Sequence, residues 1–208
     1  MSKKDLRLVM IVGAVVGLLI QPILANTVSI GHLSVVARIG IFVFFAALAP
    51  FALWLASLLS RIWKGLYQFA QFAAVGTLNS FIDIGVFNLE TFLYGSTLSV
   101  ATFATFKAIS FLCATTNSFF WNKYWTFSAS AASPVDGAQK QTRETISFYV
   151  VAFIGWAVNV VVATCVKIVE PAGIGVKLWV DIVAPVCGIA ASFLWDFLGY
   201  KYFVFKKS

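Results

Sequence analysis

Charge is scarce in this chain. Of its 208 residues, 8 are acidic and 15 basic, 11% in all. A soluble domain carries roughly a quarter charged residues, so this chain cannot cover its own surface in water. That excludes a soluble enzyme and a disordered charged tail. Histidine occurs once, as His32, and one imidazole cannot build a metal site. The three cysteines, Cys113, Cys165 and Cys187, lie in apolar runs without CxxC spacing. They read as packing residues and exclude a disulfide-rich module. Walker A, HExxH and DxD motifs are absent, as is any soluble segment long enough to hold them. An ATP-driven pump or a self-sufficient glycosyltransferase is therefore not expected. The expectation is a non-enzyme with no catalytic residue, metal or cofactor.

What the chain has instead is apolar length. Hydrophobic residues make up 61%, and mean hydropathy is +0.92. Six runs stand out: Leu8–Ala25, Ile39–Leu59, Phe69–Leu93, Phe103–Asn122, Phe148–Val169 and Leu178–Leu198. Each is close to the roughly 20 residues a bilayer-crossing helix needs. The predicted class is an all-α integral membrane protein with six transmembrane helices. The first run has a basic flank but ends in Gln21-Pro22 without a small-residue cleavage site, so it reads as a span and not a cleaved signal.

Basic residues set the orientation. With the N-terminus cytoplasmic, the inner side holds Lys3, Lys4, Arg7, Arg61, Lys64, Lys123, Lys140, Arg143, Lys201, Lys206 and Lys207; the outer side holds Arg38, Lys107, Lys167 and Lys177. The positive-inside rule places both termini in the cytoplasm. It also accounts for the net charge of +7 without a nucleic-acid partner. The polar stretch from Ser128 to Thr145, with Pro134, Asp136 and Gly137, reads as a flexible cytoplasmic linker.

The chain repeats itself. Residues 118–127 overlay residues 196–205 at an offset of 78, with Phe119, Lys123, Tyr124 and Phe127 matching identically and Trp125 matching Phe203 in kind. Phe69 and Gly76 pair with Phe148 and Gly155 at an offset of 79. Residues 67–127 and 146–205 thus read as two copies of one helical hairpin in parallel orientation. The predicted organisation is a two-span hairpin over residues 1–65, then a four-span core over 66–208.

Two sets of residues carry chemistry. The Lys-Tyr-aromatic-x-Phe endings fall where a span leaves the membrane. They read either as an aromatic belt with a snorkelling lysine or as a lipid-phosphate site. In the second reading Lys123 and Lys201 attract phosphate, while Trp121, Tyr124 and Trp125 hold a sugar or prenyl chain. The second set is polar groups inside the spans. Asn79, Asp83 and Glu90 share roughly one face of the third span, with Asn88 off it. An acid at such depth costs about 2.5–3.5 kcal/mol to insert, so Asp83 should face the bundle interior and be paired or protonated, with Lys107 a candidate partner. Thr115, Thr116, Asn117 and Asn159 add polar groups in the fourth and fifth spans. They read either as helix-to-helix clamps or, with Asn79 and Asp83, as a polar track for a substrate or proton.

The stretch Phe69-Ala70-Gln71-Phe72-Ala73-Ala74-Val75-Gly76-Thr77-Leu78-Asn79, followed by Asp83 and Asn88, resembles the opening helix of GtrA-like membrane proteins. Asn122-Lys123-Tyr124-Trp125-Thr126-Phe127 resembles that family's Asn-basic-aromatic-Trp-Thr/Val-Phe signature, and Lys201-Tyr202-Phe203-Val204-Phe205 its second copy. The resemblance covers about residues 66–206. Departures are the two added front spans, Ser118 and Asp196 where the family often has Asn, and Tyr200 in the place matched to Asn122. The resemblance implies translocation of a polyprenyl-phosphate-linked monosaccharide for cell-surface polysaccharide synthesis. It also implies a partner membrane glycosyltransferase that makes that lipid. On this reading Asn79, Asp83, Asn117 and Asn159 offer hydrogen bonds to the sugar, and Asn122 of the signature also belongs to the substrate-binding set. The alternatives are a non-transporting scaffold for the transferase, with the front hairpin as its dock, and a proton-coupled exporter using Asp83 or Glu90. A homodimer fits the small size.

Overall fold

The computed structural model describes residues 1–27, 34–63, 65–94, 99–133, 136–169 and 183–205. Among these residues the chain is all-helical and has no strand. The helices are α1 (Lys3–Thr27), α2 (Val35–Leu59), α3 (Leu66–Tyr94), α4 (Val100–Trp121), α5 (Ala138–Ile168) and α6 (Ala184–Gly199). Among the described residues, six helices overlap the six predicted runs. Among the described residues, three are long and apolar enough to cross a membrane: those over Val35–Leu59, Leu66–Thr91 and Ala138–Val166. α1 opens on Lys3, Lys4, Asp5 and Arg7, and the described part of α6 is only 16 residues long. Residues 178–182 of the sixth predicted run lie outside the described residues.

Helix starts follow local chemistry. Ser34 caps α2 by accepting from the Ala37 amide at 3.2 Å, and Ser99 caps α4 by accepting from Thr102 at 3.1 Å. Such caps satisfy backbone donors that the first turn leaves open. The predicted linker over 128–145 is shorter than the sequence suggests, because α5 starts at Ala138. Asp136 accepts from the Ser133 amide at 2.6 Å and its hydroxyl at 2.9 Å, and pairs with Lys140 at 3.2 Å. These contacts hold the Asp136 carboxyl down at about 2, the Ser133 amide contributing most. The buried Glu144 accepts from the Ala132 amide at 2.5 Å, tying the loop back onto the helix.

By contact the chain divides into two compact units, residues 1–126 and 127–208. In the first, α1 packs on α2 and α3, α2 also touches α3, and α3 packs on α4. The front hairpin therefore shares its unit with α3 and α4. Its core is Val9, Val12 and Val16 of α1, Leu53 of α2, Val75 and Leu78 of α3, and Trp125. Gly13 lets α1 and α2 approach closely: a Cβ there would lie 2.6 Å from the Phe45 carbonyl and 3.0 Å from the Ala49 methyl. Small residues at such crossings replace the hydrophobic drive that lipid cannot supply. In the second unit α5 packs along α6. There Gly155 makes room for the Asp196 carboxylate, which would collide with any Cβ at that position.

Candidate functional site

Both α4 and α6 run directly into a five-residue π-helical turn, Asn122–Thr126 and Tyr200–Val204. The two turns start 78 residues apart (200 − 122), which is the offset of the sequence repeat. A π turn adds a residue to the helical repeat and is frequent at functional sites. In the first turn Asn122 is fully buried, and its Nδ2 donates to the Ser118 carbonyl at 2.9 Å and the Ser118 Oγ at 3.1 Å. The Gln68 Nε2 donates to the Thr126 carbonyl at 3.1 Å. In the second turn the Phe205 amide donates to the Tyr200 carbonyl at 2.8 Å.

The two signature lysines repeat one contact. Lys123 Nζ lies 5.3 Å from the Phe119 ring centre, and Lys201 Nζ lies 5.6 Å from that of Phe197. An ammonium over a ring face is attracted by the ring quadrupole. Lys123 is 5% exposed, so its charge is turned inward. Lys201 is half-buried and also sits 5.5 Å from the Tyr202 ring.

The predicted aromatics of the first ending line a cleft of about 410 Å³, formed by Phe120, Trp121, Tyr124 and Trp125 with Lys4 and Leu8 of α1. Spacing of four residues makes these aromatics meet in pairs. Phe120 stacks on Tyr124 at 6.3 Å and 7°, and Trp121 meets Trp125 edge-on at 5.6 Å and 67°. Tyr124 is exposed, whereas Trp125 is 4% exposed and reaches the core. Lys4 is exposed at the rim, its Nζ 3.5 Å from the Tyr124 carbonyl. Apolar ring faces beside an ammonium suit an anionic amphiphile.

Asp5 holds this arrangement together. Its Oδ1 accepts from the Trp125 indole at 2.8 Å and from the Gln71 amide at 3.2 Å. Its Oδ2 accepts from the Tyr67 hydroxyl at 2.9 Å and the Ser2 hydroxyl at 2.7 Å. Partial burial works against the charge, but the hydrogen bonds from Ser2, Trp125 and Tyr67 outweigh it and hold the carboxyl below its usual range. Neither Lys4 nor Asp5 stands out in the sequence as a site residue. Lys4 counts there as one charge of a topology signal, and Asp5 is a single acid in a basic flank.

The polar groups inside the helices form a seam between α3 and α4. The Asn117 Nδ2 donates to the Asn79 Oδ1 at 2.7 Å, and the Ser110 hydroxyl donates to the Asp83 Oδ1 at 2.5 Å. Ser110 is fully buried. Ser110 is thus one partner of Asp83; the expected pairing with Lys107 involves a side chain outside the described residues. Asn159 belongs to the second unit, where it donates to the Ser192 hydroxyl at 3.3 Å. The structure therefore brings Asn79, Asp83 and Asn117 into one seam, and Asn159 into a separate contact. Among the described residues, the buried Glu90 Oε2 and Asp196 Oδ1 have no hydrogen-bond partner.

Long apolar helices, a polar seam inside them and aromatic-basic endings define a helical membrane protein. The chain belongs to the GtrA/DPMS transmembrane-domain family, whose model matches residues 71–206. α1, α2 and the first residues of α3 precede that match. No curated protein and no solved structure matches the chain.

Proposed function

We propose that this protein carries a polyprenyl-phosphate-linked monosaccharide from the inner to the outer leaflet of the cytoplasmic membrane, for glycosylation of cell-surface polysaccharide. The observation that carries the reading is the cleft beside the first π turn. It offers aromatic walls for a sugar or prenyl chain and an ammonium for a phosphate. The seam of Asn79, Asp83 and Asn117 supports a path for the sugar, since it supplies hydrogen-bonding groups between two apolar helices. Family membership agrees with the substrate class.

The rest of the reading combines sequence and geometry. Six helices span the membrane with both termini cytoplasmic, and residues 67–127 and 146–205 are parallel copies. Recurrence of the π turn and of the lysine-over-phenylalanine contact at one offset supports that duplication. The protein performs no covalent chemistry. A partner glycosyltransferase supplies the lipid-linked sugar, and consumption of that sugar on the far side drives net transfer. Lys123 and Lys201 keep positive charge at both endings, Asn122 steadies the first π turn from within its own helix, and Asn159 ties α5 to α6.

The test is leaflet transfer. Purified protein is placed in liposomes with a labelled polyprenyl-phosphate monosaccharide, and exposure to a membrane-impermeant reagent is monitored. Faster exposure than in protein-free liposomes is expected. No acceleration by folded protein, alone or with the transferase, would leave the scaffold role instead. α1 is bonded into α3 and the first π turn, which disfavours a front hairpin that serves only as an external dock.

A further inference from the structure

We propose that α1, which precedes the family-matched residues, completes the headgroup site: the Lys4 ammonium meets the phosphate of a sugar-bearing polyprenyl phosphodiester seated in the aromatic cleft. The inference rests on the translocation reading and names the residue that recognises the anion.

Three observations carry it. Lys4 lines the cleft together with the two aromatic pairs, and Lys123 does not. Lys123 is turned inward over Phe119, so the signature lysine presents little charge at this opening. Lys4 is also lightly engaged. Its neighbour Asp5, the natural ion-pair partner, has both oxygens occupied by Trp125, Gln71, Tyr67 and Ser2. The only hydrogen bond of Lys4 among the described residues is the long one to the Tyr124 carbonyl. An ammonium has three donors, which leaves donors for phosphate oxygens. Exposed Lys3 and Arg7 flank it on the same helix and add to the attraction.

The chemistry of the walls selects the occupant. Free phosphate would meet only the rim, whereas a sugar ring packs its C–H face on an aromatic face and a prenyl chain fills apolar space. Asp5 acts as a positioning residue, because it fixes the Trp125 indole as one wall.

The test is equilibrium binding of a labelled polyprenyl-phosphate monosaccharide to the full chain in phosphatidylcholine nanodiscs. Lys4→Ala is expected to weaken binding about fivefold, the scale of one interfacial lysine, while Lys4→Arg retains the parent affinity. An uncharged polyprenol glycoside should bind the parent and Lys4→Ala equally. If Lys4→Ala binds the phosphate lipid as the parent does, or loses both ligands alike, the assignment to Lys4 is overturned and the translocation reading stands. Equal competition by phosphatidylglycerol would overturn the sugar-lipid assignment in favour of a general anionic-lipid site. A parent protein that binds neither ligand overturns the translocation reading and this inference with it.

Discussion

The two signature endings share a backbone and differ in their surroundings. Each is a π turn, each places a lysine over the phenylalanine four residues earlier, and each exposes its tyrosine, Tyr124 or Tyr202. Each also buries its last phenylalanine, Phe127 or Phe205. At the third aromatic they part. Trp125 is buried and bonded to Asp5, whereas its match Phe203 is 70% exposed. The difference comes from α1, which covers the first ending and supplies both Asp5 and Lys4. Two endings of like backbone thus come to differ through one helix packed against the first of them.

The largest effect that separates the two ends should come from these matched aromatics. Trp125→Ala removes a core side chain and one of the donors to Asp5, and should cost about 3–5 kcal/mol. Phe203→Ala should stay within about 0.5 kcal/mol. Denaturant unfolding in mixed micelles measures both, and equal losses would erase the asymmetry. Next comes Gly13→Leu, which forces α1 away from the Phe45 carbonyl and should cost about 1–3 kcal/mol by overpacking. Its readout is the unfolding midpoint together with the fluorescence of the buried Trp125.

Asp5→Ala should cost less, about 1–2 kcal/mol, because its hydrogen bonds are charge-assisted but only partly buried. The same group sets a pH dependence. Its folded-state pKa is depressed, so its contribution is present above the unfolded value near 3.9 and is lost as pH falls through the lower folded value. Asp5→Ala should flatten the stability profile in that acidic window and leave it unchanged near neutrality apart from the constant loss. The smallest stability effect belongs to the exposed tyrosines. Tyr124→Ala and Tyr202→Ala should each change stability by less than about 0.5 kcal/mol. Only Tyr124→Ala should weaken binding of the sugar lipid.

Much of the frame was legible because its signals are local. Apolar length marked the helices, and the matching of Lys123-Tyr124 with Lys201-Tyr202 marked two places that have the same π turn. Asn79 and Asp83, read as sharing one face of the third span, both bond to α4. The site was less legible for two physical reasons. Lys123 sits inside a π turn, which a reading at 3.6 residues per turn does not contain, so its burial over the Phe119 ring was not foreseen. And the partners of Asp5 lie 62, 66 and 120 residues along the chain. No local pattern connects an acid near the N-terminus with the tryptophan of a distant signature. The start of α5 at Ala138 was missed because Pro134 and Gly137 read as linker, while the Asp136–Lys140 pair that supports the first turn spans the boundary.

The most direct test of the asymmetry is photo-crosslinking of a diazirine-bearing polyprenyl-phosphate monosaccharide to the full chain in nanodiscs, with peptide mapping of the adducts. Label is expected on the peptides that carry Lys4 and Phe120–Trp125, reduced by unlabelled sugar lipid, with little on Tyr200–Phe205. Equal label on both endings, or label on the second alone, would contradict a site specialised by α1.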